Sequence, residues 1–188
     1  VSLQAGQSVQ TGGSAKLTAG SGFTQGGQVG IQAGSGETGG SVEVVSGAAR
    51  TGLSGSVSLG TPSAGQASGS IRISSGASEQ ADSGELLIQT GDSWQRGDIT
   101  AKAGASTTGA GGHVALTSGA GSDNQQSGDV KIASAIATGA GATGDVAVST
   151  GSVAAGVSGN IVLGSGDACK GTAGLVSIAT GSSGSGAG

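Results

Sequence analysis

The sequence predicts an all-β chain: a single parallel β-solenoid over residues 1–188 with a thin, two-sheet cross-section. The solenoid is expected to contain about thirteen rungs, each of roughly 13–16 residues. Three regularities support this prediction. An apolar, spacer, apolar triplet recurs once per rung, a small residue lies two places after each triplet, and a glycine precedes each later triplet by two places. Apolar alternation at period two, rich in β-branched residues, is typical of a strand buried on one face.

The apolar positions of the triplets form the predicted core ladder of the rod. Because one rung leaves its ladder half exposed, stacking of neighbouring rungs is expected to stabilise the fold. The ladder comprises Val29, Ile31, Val42, Val44, Val57, Leu59, Ile71, Ile73, Leu86, Ile88, Val114, Leu116, Val130, Ile132, Val146, Val148, Ile161, Leu163, Val176 and Ile178.

The small position after each triplet marks the point where the predicted cross-section narrows. It is Ala, Ser or Thr in every repeat, and the next residue is Gly except at Pro62 and Ala135. Together with the glycine before each triplet, this glycine is expected to supply positive φ or a close backbone approach at a repeating corner.

Composition excludes an ordinary globular core. The 188 residues include 43 Gly, one Trp, one Phe, no Tyr and no Met, whereas a core of this size usually draws on aromatic side chains for buried area. Such a composition can also indicate disorder, but the regular placement of the apolar residues favours an ordered chain. A bundle of polyproline II helices is the other ordered alternative, and it requires Gly at a strict period of three, which is absent here.

Two segments, 34–39 and 139–144, match the glycine pattern of dinucleotide-binding loops. That pattern functions only where a helix begins within it and directs its N-terminus at the pyrophosphate. The chain shows no helical periodicity, so we expect no nucleotide site and no cofactor.

Carboxylates are the remaining candidates for catalysis. Asp129 and Asp145 occupy equivalent positions on adjacent repeats, as do Glu85 and Asp98, and Lys131 is expected on the same face as Asp129. Stacked carboxylates of this kind could serve a polysaccharide-cleaving enzyme or hold a cation. The connections are too short to build a cleft, so we favour a solvated, acidic corner and expect neither enzymatic activity nor a metal site.

Other site types have little support. His113 is the only histidine, and Cys169 is the only cysteine, so the chain has no internal disulfide. The net charge is −4 with scattered basic residues, which argues against nucleic acid as a partner. No signal peptide or membrane span is visible.

Ice binding is the alternative function, because ice-binding solenoids present flat ranks of Thr. The outward spacer column here is mixed and includes Lys16, Glu43, Arg72 and Lys131. That face is therefore a poor ice plane, although the small-residue side stays open as a candidate.

The segment 127–132, Ser-Gly-Asp-Val-Lys-Ile, and the segment 144–151, Gly-Asp-Val-Ala-Val-Ser-Thr-Gly, resemble the long Ser/Gly/Val repeat proteins of diatoms and related algae. That resemblance implies a secreted surface or flagellar-hair type filament component without an active site. Val1 begins inside a repeat and the end of the chain is Ser and Gly, so we expect a fragment of a longer rod or rods that stack end to end.

Function is thus expected to be structural: an extracellular or cell-surface filament subunit that associates with itself, with other surface proteins and glycans as further candidate partners. The isolated large apolar residues Phe23, Leu53 and Trp94 lie in the connections. They fit either lateral contacts or local packing, and local packing is the simpler expectation.

Overall fold

The computed structural model describes residues 2–94, 96–122 and 125–182, and none of these lies in a helix or a strand. Without strands there is no sheet, so the predicted all-β solenoid and its two-sheet cross-section are wrong. Val1 and residues 183–188 lie outside the described residues, and so does the expectation of end-to-end stacking that was based on them.

The physical reason is that the backbone hydrogen bonds join residues that are close in sequence. In a solenoid each rung must hydrogen-bond to the next rung, one full repeat away along the chain. Here the amide of Gly13 donates to the carbonyl oxygen of Gly6 at 2.8 Å, and five similar bonds each join residues six to nine apart. These bonds close a loop inside one repeat, so neighbouring repeats gain no ladder of hydrogen bonds.

Solvent exposure agrees with this local pairing. The accessible surface is 18974 Å², against roughly 7,700 Å² for a folded globular chain of this mass and roughly 25,000 Å² for an unfolded one. No residue of the described part is buried. The repeat therefore organises the chain locally, without a core that would bury its apolar residues.

Several repeats of the described part are closed by a structure that we call the glycine clasp. In it, the glycine that lies two places before the next triplet approaches the small residue of its own repeat and the residue that follows that small residue. In six repeats a backbone hydrogen bond joins the two sides; the pairs are Gly13 to Gly6, Gly27 to Gly20, Gly40 to Gly34, Gly55 to Gly47, Gly112 to Gly104 and Gly128 to Gly119.

The clasp requires glycine because of close approach rather than backbone conformation. A Cβ atom at Gly13 would lie 3.1 Å from the amide nitrogen of Gly6 and 3.3 Å from the Cβ of Ala5. Positive φ occurs instead at Gly139 (90°) and Gly156 (129°), which belong to neither glycine column. Close approach is thus confirmed for the clasp glycines before the triplets, whereas the glycines after the small residue, such as Gly6, have no atom within 4 Å of their Cβ position and no positive φ.

Closure of the clasp varies with the small residue: repeats with Ser are closed at Ser46 and Ser118, whereas those of Ser75 and Ser165 have no such hydrogen bond. All four repeats with Ala at this position, those of Ala5, Ala19, Ala33 and Ala103, form the clasp hydrogen bond. Where Thr stands there, the glycine meets the branched side chain: Gly69 faces Cγ2 of Thr61, and Gly97 faces Cβ and Oγ1 of Thr90. The branched side chain occupies the space into which the glycine backbone would move.

The chain bends once in nearly every repeat, between the two sides of the clasp. Bends lie at 9–11, 23–24, 36–38, 50–52, 65–66, 79–81, 94, 107–109, 139–140, 154–156 and 169–171. The period found in the sequence is therefore present in the backbone, as a series of clasped loops.

Two units divide the chain, Val1–Ile88 and Gln89–Gly188. The first contains the clasps that end at Gly13, Gly27, Gly40 and Gly55, and the second contains those that end at Gly112 and Gly128. Each unit has the same local organisation.

Candidate functional site

The apolar ladder is the most extensive surface feature of the chain. Its twenty side chains are all exposed, at 42% to 86% of their accessible surface. Within every triplet of the ladder the first residue is less exposed than the third: Val29 against Ile31 and Val176 against Ile178 are examples. We call the third positions the outer column; its members are Ile31, Val44, Leu59, Ile73, Ile88, Leu116, Ile132, Val148, Leu163 and Ile178.

Large apolar residues in the connections are exposed even further. Phe23, Leu53 and Trp94 have 107%, 98% and 105% of their surface accessible, and all three lie at or beside a bend. The expectation that they pack locally is therefore wrong.

Trp94 lines a feature with the shape of a small binding site. A shallow, open depression of about 320 Å³ is lined by Asp92, Ser93 and Trp94. It combines an indole ring, a carboxylate and a hydroxyl group. Sequence pattern alone does not single out Asp92 and Ser93, because both belong to the variable connection. The signal that could have indicated this site is that the only tryptophan of the chain lies two residues after a carboxylate.

The predicted acidic positions assemble only in part. Lys131 Nζ lies 3.3 Å from Asp129 Oδ2, which places the two side chains on one face as expected, and both are largely exposed. Across the described part of the chain, no three His, Cys, Asp or Glu side chains come together as candidate metal ligands. Asp129 thus forms an exposed ion pair with Lys131, and dissolved salt readily screens such a pair.

The two dinucleotide-like segments form bends. Residues 36–38 bend within the first segment, and residues 139–140 bend within the second, where Gly139 has a φ of 90°. Neither segment opens a helix in the described residues, so neither directs a helix N-terminus at a phosphate.

The remaining reactive side chains lie at the surface. His113 is exposed, directly before a ladder triplet. Cys169 is a free, exposed thiol in the turn at 169–170. Among the residues that the structure describes there is also no helix long and apolar enough to cross a membrane.

In comparisons with known proteins, no family model, curated protein or solved structure matches the chain. Function has to be inferred from the repeat itself and from the surfaces that it leaves exposed.

Proposed function

We propose that this protein is a structural, self-associating subunit of an extracellular filament or surface fibre, and that copies pair laterally through their outer columns. The observation that carries the proposal is the periodic, exposed series of Val, Ile and Leu side chains. End-to-end stacking of solenoid rungs is replaced by side-by-side contact, since the chain forms clasped loops rather than rungs.

A second copy of the chain is the best partner because it has the same period. Two chains aligned in parallel present apolar side chains at the same repeat spacing, so each repeat of one meets a repeat of the other. An unrelated partner would need to match that spacing throughout its length. Repetition thus makes the surface self-complementary.

The area available is sufficient for a stable contact. Burying a Val, Ile or Leu side chain contributes about 1.5 kcal/mol or more, which corresponds to roughly 60 Å² of apolar surface. The ten outer-column side chains of each copy offer on the order of 600 Å², so a pair of copies buries about 1,200 Å² in total, the lower end of specific protein interfaces. Only 10% of the residues are charged, so repulsion between copies is modest.

The extracellular location has a separate basis. It rests on the resemblance of the segments 127–132 and 144–151 to secreted algal repeat proteins, and on the structural role itself. Peptide mapping of secreted and cell-associated fractions of the source organism would test it; recovery from the cytosol alone would contradict it.

The self-association is tested by charge placed on the outer column. The triple variant Leu59→Asp, Leu116→Asp, Val148→Asp should remain monomeric at concentrations where the unmodified chain forms large species in sedimentation velocity and fibres in electron micrographs. Each added carboxylate would have to be desolvated in the contact, which strongly disfavours pairing.

The matched control places the same three charges one residue earlier, as Ser58→Asp, Ala115→Asp, Ala147→Asp. It alters net charge identically but leaves the outer column intact, so association should persist. A monomeric unmodified chain at every concentration, or equal loss of association in both triple variants, would overturn the proposal.

A further inference from the structure

We propose that Asp92, Ser93 and Trp94 form a binding site for a neutral saccharide. The three residues line an open depression of about 320 Å³, and Trp94 is fully exposed within it. This volume is at the lower end of the about 300–1,000 Å³ typical of small-molecule sites, which suits one or two sugar rings. Because the depression is open, a longer sugar chain could pass across it.

The chemistry of the three side chains matches a pyranose ring. A sugar ring has a face of C–H groups, which stacks on the flat indole, and an edge of hydroxyl groups, which donate hydrogen bonds to a carboxylate. Trp94 supplies the first surface and Asp92 supplies the second. Tryptophan buries more area than almost any other side chain at little conformational cost, so covering it provides most of the binding free energy.

Charge selects a neutral sugar. Among the lining residues that the structure describes, Asp92 carries the only ionisable group; Arg96, two residues after Trp94, is not one of them, and the whole chain has a net charge of −4. Phosphate, sulfate and uronate groups would be placed against this carboxylate without a cation from the lining to balance them. Nucleic acids and acidic polysaccharides are therefore disfavoured.

The other exposed aromatic residue provides a comparison within the chain. Phe23 is equally exposed, but it is flanked by Gly22 and Thr24, which carry no charge, and it is not part of the depression at Trp94. An apolar side chain without an adjacent carboxylate lacks the acceptor that orients a sugar. Phe23 therefore serves as the natural control position.

The sequence makes the test direct, since Trp94 is the only tryptophan and there is no tyrosine. Intrinsic fluorescence therefore reports on this site alone. Titration with cellohexaose, a neutral glucose oligomer, should shift and saturate the Trp94 emission, whereas tetragalacturonate, an acidic oligomer, should leave it unchanged.

Variants are compared by affinity electrophoresis in gels that contain a soluble neutral β-glucan, which does not depend on tryptophan. Trp94→Ala should lower the affinity about tenfold or more, and Trp94→Phe should retain part of it. Asp92→Ala should lower it severalfold, and Phe23→Ala should match the unmodified chain. None of these exposed positions supports a core, so the variants keep the clasps.

Three results would each overturn the proposal: no emission change with cellohexaose up to about 10 mM, an equal response to tetragalacturonate, or equal retardation of Trp94→Ala and the unmodified chain. The test is independent of filament formation. The monomeric outer-column variant should bind the glucan as the unmodified chain does, so failure of one proposal can be distinguished from failure of the other.

Discussion

A Cβ atom placed on Gly40 would lie 3.3 Å from the Cβ atom of Ala33. The same approach, of a glycine to the small residue earlier in its own repeat, recurs along the chain. At Gly40 it is accompanied by a hydrogen bond of 2.9 Å to the carbonyl oxygen of Gly34. The clasp is thus the contact through which the repeated sequence becomes a repeated structure. The contact at Gly40 also provides the sharpest test of the local structure.

The Gly40→Ala variant should open the third clasp. The new methyl group would press on Ala33 and on the backbone of Gly34, so the hydrogen bond must lengthen. Loss of one exposed hydrogen bond should increase amide exchange at position 40 by about two- to tenfold, as measured by NMR. Gly39→Ala is the control, since Gly39 has no atom within 4 Å of its Cβ position; equal effects at both sites would contradict the clasp.

The identity of the small residue should switch the clasp on and off. Ala33→Thr should release the amide of Gly40, because Thr side chains stand in the way of the glycine backbone at Thr61 and Thr90. Thr90→Ala should in turn protect the amide of Gly97. Temperature coefficients of the two amide protons measure both changes.

Ala33→Ser is the conservative control for that switch, because Ser is not branched at Cβ and two of the Ser repeats, those of Ser46 and Ser118, are closed clasps. It should leave the clasp of Gly40 closed. Protection that does not depend on whether position 33 is Ala or Thr would show that branching of the side chain is irrelevant.

Gly139→Ala should change the backbone of its bend. Gly139 has a φ of 90°, a conformation that costs an L-residue on the order of 1–3 kcal/mol. We expect φ at position 139 to become negative, which the three-bond coupling between the amide and α protons would report. Gly141→Ala is the control, because Gly141 has neither positive φ nor a close neighbour; an unchanged coupling at 139 would be inconsistent with this bend.

Self-association should increase as the pH falls toward the isoelectric point of about 4.6. The net charge is −4 at pH 7, and protonation of carboxylates removes the repulsion between copies, while apolar contacts are unaffected by pH. Light scattering between pH 7 and the isoelectric point measures the effect. Sulfate should also promote association, because it strengthens apolar burial.

The double variant Asp129→Asn, Lys131→Gln is the control for that pH dependence. It removes the ion pair but keeps the net charge at pH 7. Its scattering profile should follow that of the unmodified chain. A displaced profile would show that the Asp129–Lys131 pair, rather than net charge, controls association.

The Cys169 thiol should react with a disulfide reagent in native buffer at the rate found in denaturant. It is free and exposed in the turn at 169–170, so no opening of the chain is needed. Colourimetric thiol titration measures both rates. A native rate slower by an order of magnitude would show that a contact covers this turn.

Sequence reasoning located the local features better than the global fold. The glycine before a triplet, represented by Gly40, makes a close approach as expected, and Lys131 lies on the same face as Asp129. That the glycine approaches the small residue, represented by Ala33, was not predicted. These contacts join residues that are close in sequence. At that separation, the size of one side chain and the absence of a side chain on glycine largely determine which groups can approach each other. The depression beside Trp94 could not be predicted, because its two polar members lie in a connection without a pattern.

The repeat itself follows from the residues alone: its regular period, its apolar pairs, and the glycines at which each loop can close. Whether neighbouring repeats pair with one another was decided in three dimensions, and in the described residues they do not. The physical reason is that a repeating pattern specifies which residues can meet, whereas pairing across repeats must also offset the entropy of ordering a glycine-rich backbone. With 43 glycines and no aromatic core, the chain satisfies its local contacts and leaves its apolar columns exposed.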